Sequence, residues 1–126
     1  MVKLTNKEIL ERVPVLAELR ARKLPVKVSY AIAKNIDKIE RELKIYNQER
    51  EKIVNEYCLK DEHGELKITG NQFEIDPNRI KEFNKEIDDL QSIIVELDIH
   101  KFNINLLEGF EMTPDELINI DFMIEE

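Results

Sequence analysis

The sequence has few of the residues that stabilise small extracellular or all-β domains. The one cysteine, Cys58, excludes a disulfide within the chain, and there is no tryptophan. Only three glycines and four prolines occur among 126 residues, whereas 37% of the residues are charged. A single thiol is typical of a reducing compartment, and low glycine and proline contents favour helices over a sandwich of short strands.

Long hydrophobic runs are also absent. No segment approaches the roughly 20 consecutive apolar residues that a membrane-spanning helix needs. The chain begins Met1-Val2-Lys3 and continues into polar residues, without the apolar region of a secretory signal. We therefore expect a cytoplasmic protein that has no membrane partner and forms a single domain over residues 1–126.

The net charge of −8 is unevenly distributed along the chain. Residues 1–60 carry 14 Lys and Arg against 9 Asp and Glu, a net charge of +5. Residues 61–126 carry 5 against 18, a net charge of −13. One interpretation is that the two halves pack together and partly neutralise each other. The other is that an anionic face meets a basic partner.

Residues 27–58 predict one long helix, because they contain no glycine or proline and carry an apolar residue on nearly every turn. The apolar seam consists of Val28, Ile32, Ile36, Ile39, Leu43, Tyr46, Ile53 and Tyr57. Its three- and four-residue steps are typical of a coiled coil, with Arg50 in the polar slot. A helix of this length extends roughly 48 Å, so other elements are expected to lie along it.

A second helix is predicted over residues 77–95, with Asp76 as N-cap and Pro77 at the first helical position. Its apolar seam has the same period and consists of Ile80, Phe83, Ile87, Leu90, Ile94 and Leu97. The short connection predicts an antiparallel helical hairpin. Aligning the two seams sets Tyr57 near Ile80 and Arg50 within reach of Glu86.

The connection between these helices predicts a small β-hairpin over residues 62–76. Leu66-Lys67-Ile68 and Phe73-Glu74-Ile75 alternate apolar and polar residues on either side of Thr69-Gly70-Asn71-Gln72. Because an isolated two-stranded hairpin is marginal in water, it is expected to pack on the helix ends or on a partner.

The two ends of the chain each carry a capping box. Residues 1–24 predict an N-terminal helix that opens with Thr5 and Glu8, and Pro14 inside it predicts a kink or two short helices. Residues 96–106 predict an extended segment. A C-terminal helix over 113–124 is apolar on nearly all sides, so it is expected to be buried in the core or against another subunit.

No catalytic, cofactor-binding or metal site stands out, so we expect no enzyme activity. Cys58 and His63 lack the orienting third group that a nucleophilic pair needs. With His63 and His100 as the only histidines, the chain lacks the three or four spaced ligands of a zinc site. Nucleic acid could contact four basic residues that are close in the sequence, Arg20, Arg22, Lys23 and Lys27. The acidic chain lacks RNA-stacking and recognition-helix signatures, so direct nucleic-acid binding is not expected.

The acidic residues offer a clearer candidate surface. Residues 86–126 contain 12 acidic residues and one basic residue, Lys101. Carboxylates spaced on a rigid frame could occupy a basic groove that normally binds phosphates. The candidate partner-binding residues are Asp88, Asp89, Glu96, Asp98, Glu108 and Glu111.

Four segments carry a resemblance to a known family. They are Leu4-Thr5-Asn6-Lys7-Glu8, Leu24-Pro25-Val26-Lys27-Val28-Ser29-Tyr30, Lys60-Asp61-Glu62-His63-Gly64-Glu65-Leu66 and the ending from Met112-Thr113-Pro114-Asp115-Glu116-Leu117 to Asp121-Phe122-Met123-Ile124. The chain resembles an uncharacterised family of small proteins, a domain of unknown function, from bacteriophages and prophages of Gram-positive bacteria. The resemblance implies a phage context and transfers no catalytic residue.

These observations predict a mainly helical α+β fold, an antiparallel helical hairpin with a small β-hairpin at its tip, flanked by N-terminal and C-terminal helices. The expected function is that of a non-enzymatic accessory or host-takeover factor that binds a protein partner in the host cytoplasm. One alternative is an acidic, anti-CRISPR-like inhibitor of a basic nucleic-acid-binding host protein. Another is a structural or tail assembly factor, and homo-oligomerisation is a further hypothesis.

Overall fold

The computed structural model describes residues 1–125, which form four α-helices and six short strands. The helices are α1 Asn6–Arg20, α2 Val26–Tyr57, α3 Ile80–Gln91 and α4 Pro114–Ile120. The strands are β1 Val2–Thr5, β2 Ile68–Thr69, β3 Gln72–Phe73, β4 Ile94–Leu97, β5 Phe102–Asn103 and β6 Ile124–Glu125. The mainly helical α+β class predicted from the sequence is confirmed.

The chain divides into two compact units. Unit 1 contains Met1–Glu42 and the chain from Ile94 onward, and unit 2 contains Leu43–Ile93. The long helix predicted over 27–58 is confirmed as α2, whose first part belongs to unit 1 and whose second part belongs to unit 2.

Unit 1 contains the most deeply buried side chains of the described residues. These come from α1, from the first part of α2 and from the C-terminal segment, and they are Ile9, Leu16, Leu19, Val28, Ile32, Asn35, Ile39, Ile120 and Met123. The first part of the α2 seam is therefore covered as the sequence predicts, because Val28 and Ile32 are at most 1% exposed. Truncating one of the buried leucines to alanine would cost about 2–5 kcal/mol.

A two-stranded antiparallel sheet joins the start of the chain to the segment after α3. β1 pairs with β4 so that Val2 lies opposite Leu97 and Leu4 lies opposite Val95. Leu4 and Leu97 are both buried on one face of this pair. The N-terminal prediction of helix over 1–24 is therefore wrong for its first residues, and the helical prediction over 77–95 is wrong at its end, because tertiary pairing overrides local pattern.

α1 opens with the capping box that the sequence predicts. The Glu8 amide donates to the Thr5 hydroxyl over 3.1 Å, and the Thr5 amide donates to the Glu8 carboxylate over 3.0 Å. The helix continues through Pro14 to Arg20, so the alternative of two short helices is wrong. Pro14 is exposed, and its ring therefore does not enter the core.

The C-terminal segment is less helical than predicted. α4 also opens with a capping box, between Thr113 and Glu116, but it ends at Ile120. A short 3-10 helix follows over Asp121–Met123, and β6 then pairs in parallel with β5, with Phe102 opposite Ile124. The predicted helix over 113–124 is thus corrected at its end, and the extended segment over 96–106 includes a 3-10 helix at Ile104–Leu107.

Unit 2 contains a β-hairpin within the predicted range 62–76. Its strands differ from the prediction, because Thr69 and Gln72 pair with each other, whereas Leu66 and Ile75 form isolated bridges with Lys60 and Cys58. β2 and β3 pair in antiparallel register around a two-residue loop whose first residue, Gly70, has a φ of 66°. Positive φ at this position is typical of a type II′ turn. The Leu59 amide donates to the Glu74 carbonyl, and the Lys67 amide donates to the Leu59 carbonyl, each over 2.8 Å. The hairpin therefore rests on the chain that leaves α2.

The start of α3 differs from the prediction. Asp76 does not cap the helix, because its carboxylate accepts from the Asn78 amide over 3.0 Å and forms a local turn. The helix begins four residues later, and its N-cap, Arg79, makes no capping hydrogen bond through its side chain. Asp side chains compete with helix formation by bonding to nearby backbone in this way.

Candidate functional site

An apolar groove opens on the surface of unit 1. It has a volume of about 500 Å³, and its apolar lining consists of Val2, Ile104, Leu117, Ile118, Phe122 and Ile124. Three charged residues complete it, Lys101, Asp121 and Glu125. We call this surface the apolar groove.

Two isoleucines in the apolar groove are exposed to solvent. Ile118 is 60% exposed and Ile104 is 48% exposed, although both lie beside buried core residues of the same segments. The sequence predicts that the C-terminal helix is buried in the core or against another subunit. Ile118 does not lie in the core, and burial against another subunit stays a prediction. Clustered exposed apolar side chains beside a concave surface are typical of interaction sites.

α1 holds the helix that forms one wall of the apolar groove. The Arg12 guanidinium donates to the carbonyl oxygens of Ile118 and Asn119, over 2.9 and 3.2 Å, and pairs with Asp121 over 3.2 Å. It also lies 5.2 Å from the centre of the Phe122 ring. Arg12 therefore satisfies carbonyls at the end of α4, where a cation is favourable to the helix dipole.

A second arginine holds the beginning of α4. Arg22 pairs with Glu116 over 2.7 Å and donates to the Glu111 carbonyl over 2.6 Å. The Glu116 carboxylate also accepts the Thr113 amide, and this hydrogen bond, followed by the Arg22 charge, holds the pKa of Glu116 below its ordinary value of 4.5. The wall of the apolar groove is thus fixed at both ends.

The uneven charge of the sequence is partly neutralised inside unit 1. Its ion pairs include contacts between basic residues of the N-terminal part and acidic residues of the C-terminal part. They are Lys3 with Glu96, Arg12 with Asp121, and Arg22 with Glu116. These ion pairs join residues of 1–60 to residues of 61–126, so part of the opposite net charge of the two halves is neutralised within the fold.

The predicted partner-binding carboxylates are all exposed but are divided between the units. Asp88 and Asp89 belong to α3 in unit 2. The other four, Glu96, Asp98, Glu108 and Glu111, belong to unit 1. Glu96 pairs with Lys3 over 3.7 Å, and the Asp98 carbonyl accepts from Lys38.

The predicted contact of Arg50 with Glu86 is replaced by contacts of Tyr57. The Tyr57 and Phe83 rings meet edge to face with centroids 6.1 Å apart, and the Arg79 guanidinium lies 4.2 Å from the Tyr57 ring centre. Desolvation, followed by the charges of Glu56 and Glu86, raises the pKa of Tyr57. Arg50 is exposed and lines a shallow crevice with Leu66 and Phe73.

The residues of the apolar groove were missed at the sequence level for an identifiable reason. Val2 lies about a hundred positions from Ile104 and Ile118, and the three side chains line one groove only in the folded chain. The available signal is the C-terminal segment, which is apolar on nearly all sides and predicts burial in the core or against another subunit.

Comparisons with protein-family models, with curated proteins and with solved structures found no match. Within residues 1–125, no group of three or more His, Cys, Asp or Glu side chains is placed to hold a metal ion. No helix in that range combines the length and apolar character needed to cross a membrane.

Proposed function

We propose that the protein is a non-enzymatic, phage-encoded interaction protein that binds a protein partner through the apolar groove. The observation that carries this proposal is the exposure of Ile104 and Ile118 within a groove of about 500 Å³. Covering apolar side chains that remain in contact with water is the main driving force of protein association.

The groove also indicates the chemistry of the partner. Its charged residues are Asp121, Glu125 and Lys101, and the Asp121 carboxylate is already paired with Arg12. A partner segment with two or three apolar side chains and a flanking lysine or arginine would complement this surface. An amphipathic helix or an extended strand can present such a segment.

We further propose that unit 2 is the antiparallel helical hairpin of the sequence prediction. Two contacts support this arrangement at different points along α3. Phe83 meets Tyr57, and the Gln91 amide donates to the Tyr46 hydroxyl over 3.4 Å.

We also propose that the protein acts as an accessory or host-takeover factor in the cytoplasm of the bacterial host.

The acidic inhibitor is the second candidate function, and the exposed carboxylates Asp88 and Asp89 favour it. In this model the carboxylates occupy a phosphate-binding groove of a basic host protein. Reversing the charges of Asp88, Asp89, Glu96 and Asp98 should then abolish partner binding while the circular dichroism spectrum is unchanged. Binding that survives these reversals would eliminate this candidate. The roles of a tail assembly factor and of a homo-oligomer stay predictions.

The groove proposal is tested with a partner identified by cross-linking in infected host cells and then purified. Ile118→Glu places a charge in the groove and should weaken partner binding roughly tenfold or more in calorimetry, since a buried isoleucine contributes about 1.5–3 kcal/mol. The matched control is Ile45→Glu, because Ile45 is 56% exposed on α2 and lies in unit 2.

The two variants separate the possible outcomes. Loss of affinity in Ile118→Glu alone supports the apolar groove as the binding site. Equal affinity of both folded variants and the wild-type protein would show that the partner binds elsewhere.

A further inference from the structure

A second concavity in unit 1 combines aromatic and basic side chains. It has a volume of about 510 Å³, within the usual range for small-molecule sites. The residues that line it are Val26, Lys27, Tyr30, His100, Lys101, Phe102, Asn103, Leu106 and Glu125. We call it the aromatic–lysine cleft. It shares Lys101 and Glu125 with the apolar groove.

Two rings form the aromatic part of the cleft. Tyr30 and His100 lie with centroids 5.4 Å apart and planes at 78°. Because the rings are nearly perpendicular, they do not stack face to face, so a planar ligand would stack on one ring and contact the other at its edge. Tyr30 is 53% exposed, whereas Phe102 is buried.

The aromatic pair is built on a fixed framework. His100 is joined through its backbone to Asn35, which is fully buried on α2. Lys38, one helical turn further along α2, donates to the Asp98 carbonyl. The segment that carries His100 and Lys101 is therefore anchored to the helix that carries Tyr30, so the site is organised before a ligand binds.

Lysine side chains lie close to the two rings. Lys27 and Lys101 line the cleft, and the Lys34 ammonium lies 5.5 Å from the centre of the Tyr30 ring. Lys27, Tyr30 and Lys34 occupy one face of α2, because they are spaced by three and four residues. Among the described residues that line the cleft, Glu125 is the acidic one.

We propose that the aromatic–lysine cleft binds a nucleoside phosphate. The base stacks on one face of the Tyr30 ring, beside His100, and the phosphate is held by Lys27 and Lys101. Glu125 accepts a hydrogen bond from a sugar hydroxyl or an exocyclic amine. Aromatic side chains beside lysines are the usual combination for binding bases with their phosphates.

This inference departs from the sequence prediction that nucleic acid is not bound directly. That prediction depended on the acidic composition and on the absence of a local stacking motif. Tyr30 and His100 are seventy positions apart in the sequence, so only the fold brings them together. The same chemistry is present in two ligands, a free nucleotide and a nucleotide within single-stranded nucleic acid.

The test is a calorimetric and NMR titration of the full chain with two probes, ATP and a twelve-residue oligothymidylate. Saturable binding that shifts the His100 and Lys101 amide signals supports the proposal. Tyr30→Ala and Lys27→Glu should each weaken that binding roughly tenfold, whereas Tyr30→Phe should retain it. Lys81→Glu, an exposed site on α3, is the charge-matched control and should leave binding unchanged.

The two probes distinguish the sources of the ligand. An affinity for the oligonucleotide at least tenfold above that for ATP, falling steeply with salt, identifies a single strand. Equal affinities, or tighter ATP binding, identify a free nucleotide. The proposal is overturned if neither probe binds, or if Tyr30→Ala and Lys27→Glu bind as the wild-type chain does. The apolar groove proposal is unaffected by that result, because Ile118 does not line the cleft.

Discussion

Asn35 and the backbone of His100 form a reciprocal pair of hydrogen bonds. The His100 amide donates to the Asn35 side-chain oxygen over 2.8 Å, and the Asn35 side-chain amide donates to the His100 carbonyl over 2.9 Å. The pairing fixes the orientation of the Asn35 amide, because exchanging its oxygen and nitrogen would lose both bonds. A buried polar group is tolerated here because both of its ends are satisfied.

Asn35→Leu should reduce the free energy of unfolding by about 1–3 kcal/mol. The substitution keeps the branched arrangement of side-chain heavy atoms but leaves the His100 amide and carbonyl without their partner. Urea unfolding measures the change. Asn47→Leu is the control, because Asn47 is exposed on the same helix and should change stability by less than about 0.5 kcal/mol. An unchanged unfolding midpoint in Asn35→Leu would contradict the structural role of this pair.

Arg12→Met should also destabilise the protein, by about 1–3 kcal/mol. The substitution keeps much of the apolar stem but removes donors to the Ile118 and Asn119 carbonyls. The Arg12 side chain is only 17% exposed, so solvent does not easily replace these bonds. Thermal unfolding monitored by circular dichroism measures the loss.

Arg41→Met is the matched control for Arg12→Met. Arg41 pairs with Asp37 over 2.9 Å within α2, but its side chain is 77% exposed. An exposed pair of this kind contributes about 0.3–0.5 kcal/mol. Comparable losses in the two variants would show that Arg12 acts only as a surface charge.

Several features that depend on local sequence were predicted correctly. α2 could be predicted because residues 27–58 lack glycine and proline and repeat apolar residues at helical spacing. The capping boxes at Thr5 and Thr113 could be predicted because all their bonds form within four residues. The turn between β2 and β3 is also a local feature, because it depends on the positive φ of one residue, Gly70.

Features that depend on distant pairing were missed. β1 pairs with β4 across about ninety residues, and four-residue strands carry little local signal. The same limit applies to the candidate sites, because the apolar groove and the aromatic–lysine cleft each combine residues from distant parts of the chain.

Asp76 is a local prediction that failed. The Asp76-Pro77 pair satisfies the usual rule for a helix start, yet the Asp76 carboxylate closes a turn with Asn78 instead.

Pro14 is the case in which a local rule overstated its effect. A proline inside a helix removes one donor and crowds the preceding turn, so the local rule predicts a kink or two short helices, of which the structure excludes the second. α1 nevertheless continues to Arg20, with Leu16 and Leu19 buried after the proline. Burial of these two side chains offsets the local cost of the proline.

Because of the capping boxes, the stability of the protein is expected to decrease when the pH falls into the acid range. Hydrogen bonds from the Thr5 amide and then from the Thr5 hydroxyl hold the pKa of Glu8 below its ordinary value of 4.5. A carboxyl whose pKa is lower in the folded state than in the unfolded chain stabilises the fold at pH values above the unfolded pKa. That contribution is lost as the pH falls below 4.5 and through the folded pKa.

Glu8→Gln should therefore narrow the difference in stability between pH 7 and pH 3. The glutamine keeps an acceptor for the Thr5 amide but cannot ionise, so its contribution does not titrate. Urea unfolding at the two pH values measures the difference. Glu18→Gln is the control, because Glu18 is exposed on the same helix and takes no part in the capping box. If Glu8→Gln lost as much stability on acidification as the wild-type chain, the charge of Glu8 would have no role in holding the start of α1.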